Sequence, residues 1–369
     1  MASIEINKIE QSVHDAVMHV FYVDDAQVTQ SSGVFTVTDS SYGNGTVKAL
    51  LAGGIGTPVE YRRGGNVRKM FAHMHAYAAE RGVAVALLHP FSFSYYRQFG
   101  YERVADHAFA RFPTRTIDFA PRRCRFVPYR EELLPDMLAV YRAFQKGRNL
   151  LLPRVNHASY AASGRMTYLC YDGEVPIAYV VCSGSKTLQV NHYTDTVLTV
   201  HEMAFVSADA LREIFSFLRM FEGEYDEIVL SDLGVYPEAD ILLRHYTHTA
   251  YHSIPDLAAR VLNTELMLLA HNYPKRAGAF ILRVIDELPS VAGTFCVRYE
   301  GGKAQVQRLD DNAPADVTLP AQALAQLLYG CLTLDAHSLA CLDGVQVTGD
   351  CEDLLRAFPR KPGGIFEHF

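Results

Sequence analysis

The sequence predicts a mixed α+β protein, with two tandem α/β units followed by a smaller α+β domain on an antiparallel sheet. Three observations predict it. The order strand, helix, strand occurs twice, over residues 45–90 and again over 196–231. Apolar runs such as Val83–Pro90 are continuous rather than alternating, as strands covered on both faces require. From about Asn263 the texture changes to short strands punctuated by turns. The chain divides at 1–122, 123–262 and 263–369, and 369 residues suit two or three domains of roughly 100 to 200 residues each.

In the first unit, VHDAVMHVF is the helix candidate and SSGVFTVTDSSYGNG supplies a strand. GTVKALLAGGIGT then reads as a buried strand ending near Pro58. A polar turn, Val59–Asn66, leads into a helix on which Val67, Met70, Phe71, Met74, Tyr77 and Ala78 recur at helical spacing, closed by Gly82. VAVALLHP is its parallel partner strand. In the second unit YLCYDGEVPIAYVVC is a strand pair about Asp172-Gly173, TVLTVHEMAF a strand, ALREIFSFLRMF a helix and DEIVLSD a further strand. In the third, GAFILRVID, GTFCVRYE, KAQVQRL and ADVTLP are strands, with a turn at Gly301-Gly302, and AQALAQLLYGCL after Pro320 is an apolar helix.

Lys+Arg 34 against Asp+Glu 41 gives a formal charge of −7. No block of five like charges occurs, so neither a nucleic acid nor an anionic membrane has an electrostatic basis for binding. The start, MASIEINKIEQ, lacks the apolar stretch of a secretory leader, and no apolar run approaches the ~18 residues that span a bilayer. A cytoplasmic location is expected. The seven cysteines are scattered without a CxxC and read as buried small side chains in a reducing compartment. His73 and His75 point to different faces of their helix. His245 and His248 could share a helix face, but no carboxylate or cysteine follows at a matching spacing, and no metal is expected.

The stretch that carries chemistry is YRRGGNVRK. A glycine-rich turn between a strand and a helix start presents backbone N–H groups and the positive end of the helix dipole, which together cradle an anion such as phosphate. GxGxxG and GK[ST] are both absent, which excludes a dinucleotide fingerprint and a Walker loop. The pattern present is R-x-x-G-x-[G/A/V], in Arg62, Gly65 and Val67. The second unit's corresponding turn, Val206-Ser207-Ala208-Asp209, has no glycine and no cation, so only the first unit is expected to hold an anion.

That spacing resembles the pyrophosphate loop of the GNAT superfamily of N-acetyltransferases. SYYRQFGYE resembles the superfamily's later signature in Tyr96, Phe99, Gly100 and Tyr101, which in the enhanced intracellular survival (Eis) branch reads Tyr-Gly-Arg-Phe-Gly-Tyr. Members of that branch join two acetyltransferase-like domains to one resembling a sterol carrier protein and end in Phe, as this chain ends in Phe369. The resemblance implies acetyl-CoA as co-substrate, met by Ile55, Gly56 and Thr57 on the strand, by Arg63, Gly64, Gly65, Asn66, Val67 and Arg68 at the pyrophosphate, and by Phe91 and Ser92. It implies Tyr96 as proton donor and the free carboxylate of Phe369 as proton acceptor. It further implies a homo-oligomer, a hexamer, that acetylates primary amines of cationic small molecules such as aminoglycosides, or lysine side chains. The chain departs from the branch at Pro58, one residue early, and at Arg97-Gln98. The region before Gly53 is short, so an N-terminal helix or strand, of the kind that helps shape the acceptor pocket in the family, is expected to be shortened.

The chemistry asks for the same two roles. An amine attacks a thioester only when neutral, so its proton must be taken up and the departing thiolate must receive one. A tyrosine with pKa near 10 is a fair donor to a thiolate whose thiol has pKa near 8.5, and a partly desolvated carboxylate is a usable base. Tyr101 or a water could replace the donor, and Glu102 or His89 the base. Two other functions stay open: an apolar-ligand carrier, which has no need of the arginine–glycine cradle, and an acyl-CoA sensor, which needs neither Tyr96 nor a free chain end.

Overall fold

The computed structural model describes residues 3–9, 16–118, 123–154, 164–189, 192–361, 363–367 and 369. The first unit starts with β1 (Ser3–Ile9), β2 (Ala16–Val23), β3 (Thr29–Tyr42) and β4 (Gly45–Gly56), an antiparallel meander. The expected helix in VHDAVMHVF is not formed. Residues 13–15 lie outside the described residues, and from Ala16 the segment is strand β2, paired with β1 and β3 along its whole length. Alternation decides this: Met18, Val20 and Tyr22 face the core while His19 and Phe21 are more exposed.

After β4 the chain crosses through α1 (Asn66–Ala79) to β5 (Val85–Leu88), which lies parallel to β4. Then come α2 (Phe93–Arg97) and β6 (Glu102–Pro113). The second unit follows with β7 (Arg125–Pro128), α3 (Leu134–Gln145), β8 (Met166–Asp172), β9 (Val175–Gln189), β10 (His192–Phe205), α4 (Ala208–Leu218), β11 (Glu227–Leu230), α5 (Glu238–Leu242) and β12 (Ala250–Val261). β10, α4 and β11 repeat the parallel crossover of β4, α1 and β5. His245 and His248 do not share a helix, because Tyr246–His248 is a single 3-10 turn.

The two units form one sheet of 12 strands, in the order β1-β2-β3-β4-β5-β12-β6-β11-β10-β9-β8-β7. β12 runs antiparallel between β5 and β6 and so completes the first unit from the far end of the second. Every residue of β5 is buried, and a central strand of that kind needs ladder partners on both sides.

The third domain has α6 (Thr264–Ala270), β13 (Gly278–Ile285), β14 (Gly293–Glu300), β15 (Lys303–Leu309), β16 (Val317–Pro320), α7 (Ala321–Tyr329), α8 (Ala336–Ala340), β17 (Gln346–Val347) and α9 (Glu352–Ala357). Its five strands form a separate sheet, β15-β14-β13-β16-β17. α7 is covered on its apolar face by the large sheet, so Leu324, Leu327 and Leu328 share a core with Val104, Leu257 and Ala259. This packing holds the end of the chain close to the first unit. All seven cysteines are free thiols, and among the described residues no group of three or more His, Cys, Asp or Glu could hold a metal. No described helix is long and apolar enough to cross a membrane.

Candidate active site

The site begins where two parallel strands part. β4 is paired with β5 only from Ala49 to Leu51, against Val85 to Leu87, and then runs on alone to Gly56. On its other side Val34 faces Gly53 and Ser32 faces Gly56, so three steps of β4 oppose two of β3. This bulge turns at Gly54, whose φ of +59° lies in the left-handed region that glycine enters without penalty. The splay leaves the backbone of residues 52–56 open on the β5 side.

Below it, Arg63 at φ +66° and Gly65 at φ +74° bend the chain into the start of α1. Gly65 is the N-cap residue. It contributes no side-chain cap, and the first turn of the helix carries no acidic residue. The first N–H groups of α1 therefore lack an intrahelical partner and meet no opposing charge, as an anion site requires. Arg62 donates to the Thr57 carbonyl at 3.2 Å and tightens the loop, while Arg68 is held by the Gln98 side chain at 2.7 Å and lies over the Phe99 ring.

A cleft of about 640 Å³ follows this surface, lined by Ile55, Gly56, Thr57, the whole of Arg62–Arg68, Phe91, Tyr95 and Phe99, among others. Of the expected cofactor contacts only Ser92 is not on its wall. The Ser92 hydroxyl caps α2, accepting from the Tyr95 N–H at 3.3 Å. Phe91 leaves 78% of its surface exposed at the rim, which gives the cleft an apolar lip.

Tyr96 lies buried on α2, ringed by Phe71, Phe91, Tyr95, Phe99 and Tyr101 with centroids 5.2–6.3 Å away. Burial pushes its phenol up to about 12, with neighbouring Tyr95 adding to the effect. The other candidate groups are engaged. Tyr101 is wholly buried with its hydroxyl 2.9 Å from His75, itself held well below its usual range by burial. The Glu102 carboxylate accepts both Arg97 donors, at 2.7 and 3.0 Å, and the Arg103 N–H.

The end of the chain arrives in the splay. A Cβ added to Gly53 would stand 2.6 Å from the terminal carbon of Phe369 and 2.9 Å from its oxygen, so the carboxylate rests on a surface that only glycine leaves open. The Phe369 ring meets His89 edge-on at 4.9 Å. His89 Nε2 donates to the Glu367 carbonyl at 3.0 Å, and His89 Nδ1 is 3.3 Å from Asp256 on β12. Sequence reasoning placed His89 only as a substitute base and missed Asp256. Its one signal was a carboxylate just before the apolar end of a strand.

Residues 5–104 match the acetyltransferase (GNAT) domain family, and residues 265–362 match the sterol carrier protein domain family. The first unit thus carries a GNAT acetyltransferase domain, and the chain as a whole has an Eis-like fold. Solved structures of the same architecture include a GCN5-related N-acetyltransferase from Anabaena variabilis, at 18% identity and a TM-score of 0.82 over 96% of this chain and 89% of that one. Eis1 from Mycobacterium abscessus superposes at 17% identity and 0.78 over 98% and 91%. A probable N-acyltransferase from Enterococcus faecalis does so at 17% and 0.77 over 96% and 89%. No curated protein sequence matches the chain. The glycine-rich turn and the splayed strand lie in the matched first unit. The second unit lies between the two matched stretches. Its helix start is closed by Ser207, whose hydroxyl accepts from the Ala210 N–H at 3.1 Å, with Asp209 in the first turn.

Proposed function

We propose that the chain transfers an acetyl group from acetyl-CoA to a primary amine of a cationic small molecule, aminoglycoside-like, or of a lysine side chain. The observation that carries the reading is the Phe369 carboxylate seated against Gly53 inside the splay of the strand that leads into the arginine–glycine turn. When bound, acetyl-CoA supplies the acetyl thioester. The residues fit it, because the start of α1 has no side-chain cap and no acidic residue, the cleft follows the arginine–glycine turn, and Phe91 makes its rim apolar.

In this reading Arg63 to Arg68 and the N–H groups at the start of α1 hold the pyrophosphate. The open edge of Ile55–Thr57 offers ladder groups to the pantetheine amides. The Phe369 carboxylate takes the proton of the incoming ammonium, and Tyr96 gives a proton to the departing sulfur. A phenol pushed up to about 12 keeps its proton through neutral pH, which is the form a donor must start from. The Phe369 carboxylate in the splay and the Asp256 carboxylate beside His89 give this region negative character, which favours a cationic acceptor. A sensor would leave the seated carboxylate without a use.

The test is an amine panel of aminoglycosides, polyamines and lysine peptides, with acetyl-CoA and thiol release as the readout. Turnover on at least one cationic amine is expected. Binding of acetyl-CoA without turnover on any of them would return the sensor reading.

A further inference from the structure

The second unit keeps the splay of the first. β10 pairs in parallel with β11 up to Val200 and Leu230, as β4 pairs with β5 up to Leu51 and Leu87. Just beyond, Val200 and Glu202 of β10 face the consecutive residues Cys182 and Val181 of β9, so this strand too carries an extra residue. Glu202, two residues past the last parallel pair, stands in the second unit where Gly53 stands in the first.

The two places are filled differently. At Gly53 there is room for the end of the chain. At Glu202 there is a buried carboxylate that accepts from the Tyr179 hydroxyl and, at 2.7 Å, from Arg154 Nη2. The other terminal nitrogen of Arg154 pairs with the Glu367 carboxylate of the tail. The Arg154 guanidinium lies 5.0 Å from the centre of the Tyr141 ring and 5.6 Å from that of Phe366, which in turn packs near Tyr236. Upstream, Gly363 and Gly364 press against Gly234 and Val235, where added Cβ atoms would come within 2.6 and 2.9 Å of their neighbours.

We propose that the splayed strands of the second unit, which have no cofactor cradle, are the dock for the C-terminal tail, with Arg154 as the positioning residue. Arg154 holds Glu367 from the side-chain end while His89 holds its carbonyl, so two points fix the residue from which the Phe369 carboxylate hangs. A chain end frays unless tied down, and a planar guanidinium that pairs with both Glu202 and Glu367 and lies near the Tyr141 and Phe366 rings is a rigid tie. The use of the held carboxylate as a base rests on the function proposed above. The dock itself does not.

The experiment uses the full untagged chain and a carboxypeptidase that accepts aromatic ends, which reads the accessibility of Phe369 without any turnover. Arg154→Met and Glu367→Gln are expected to speed release of Phe369 by about tenfold or more, since each frees the tail to open locally. Arg154→Lys, which keeps the charge and loses the fork, falls between. In an acetyltransfer assay the same variants should lower kcat while leaving acetyl-CoA affinity within about twofold, because the cradle lies in the other unit. Release at the wild-type rate in both variants overturns the dock. If Arg154→Met fails to fold because Glu202 is left buried without its arginine, Glu367→Gln decides alone, as it leaves that pair intact. Faster release with unchanged turnover keeps the dock and removes the carboxylate from the chemistry.

Discussion

Tyr96 shows how surroundings set the acidity of one side chain. Among five aromatic rings its phenolate has little to solvate it, and burial raises its pKa from 10.0 to about 12. Tyr96→Phe is expected to cut kcat by about 10²- to 10⁴-fold with acetyl-CoA affinity nearly unchanged, since a positioned general acid is lost and the cradle is untouched. Steady-state kinetics beside calorimetry checks it, and an undiminished kcat assigns the donation to a water. The sign of the shift also fixes the pH behaviour. The folded form keeps the proton longer than the unfolded chain, so the stability that Tyr96 contributes is present below pH 10 and is lost as pH rises from 10 towards about 12. Gly100 is a second such residue. Its φ is +85°, and an added Cβ would fall on the Arg260 guanidinium, which donates to the Phe99 carbonyl at 2.6 Å and pairs with Asp286. Gly100→Ala should cost about 2–4 kcal/mol, from left-handed strain plus overpacking. A denaturant midpoint equal to that of wild type would contradict it.

Two elements carry testable consequences. The start of α1 is the only one of the two crossover helices with a glycine cap and no acid in its first turn. Acetyl-CoA should therefore bind once per chain, and Arg63→Glu or Gly65→Glu should abolish that binding, because each puts a negative charge where the proposed function seats the pyrophosphate. Calorimetry reads both, and a stoichiometry of two would refute the assignment. At the seam between β6 and the loop after β11, His107 Nδ1 lies 2.7 Å from Asp232. The hydrogen bond to that carboxylate, more than its charge, raises the histidine pKa above 6.5. The pair's stabilisation is complete below about pH 6.5 and fades as pH climbs through the raised value. Both groups are partly open to solvent, so about 1 kcal/mol or less is at stake. Asp232→Asn, which tolerates the same left-handed backbone, should flatten the fall of Tm over that interval, and an identical pH profile would exclude the link.

At the scale of the whole molecule, the third domain and the tail make one device. α7 packs the third domain against the large sheet, Ile365 sits in that shared core, Phe366 packs against the core of the second unit, and Phe369 returns to the first. Extending the chain by one glycine moves the carboxylate off Gly53 and puts an amide in its place, and deleting Phe369 withdraws it. Each should lower kcat/KM by about 10²-fold or more, with Tm little changed, whereas an N-terminal tag should do neither. Equal catalysis by all these forms would return the base to His89 or another group.

Much of this was legible from residues alone. The repeated strand–helix–strand order, the arginine–glycine turn and Tyr96 are local patterns, and the backbone obeys local rules there: a left-handed turn needs glycine, and a covered strand needs a continuous apolar run. The helix expected in VHDAVMHVF failed because nine residues with apolar positions at both spacings fit either period, and pairing with β1 and β3 decided between them. β12 between β5 and β6, the carboxylate on Gly53, the His89–Asp256 contact and Arg154 between Glu202 and Glu367 join residues far apart in the chain. No periodicity or spacing encodes such pairings, because they follow from how three packed units bring one chain end to another. The sequence by itself determined the repeated strand–helix–strand order and the arginine–glycine turn, and the tertiary structure decided which groups stand opposite that turn, since only packing brings distant charges into contact.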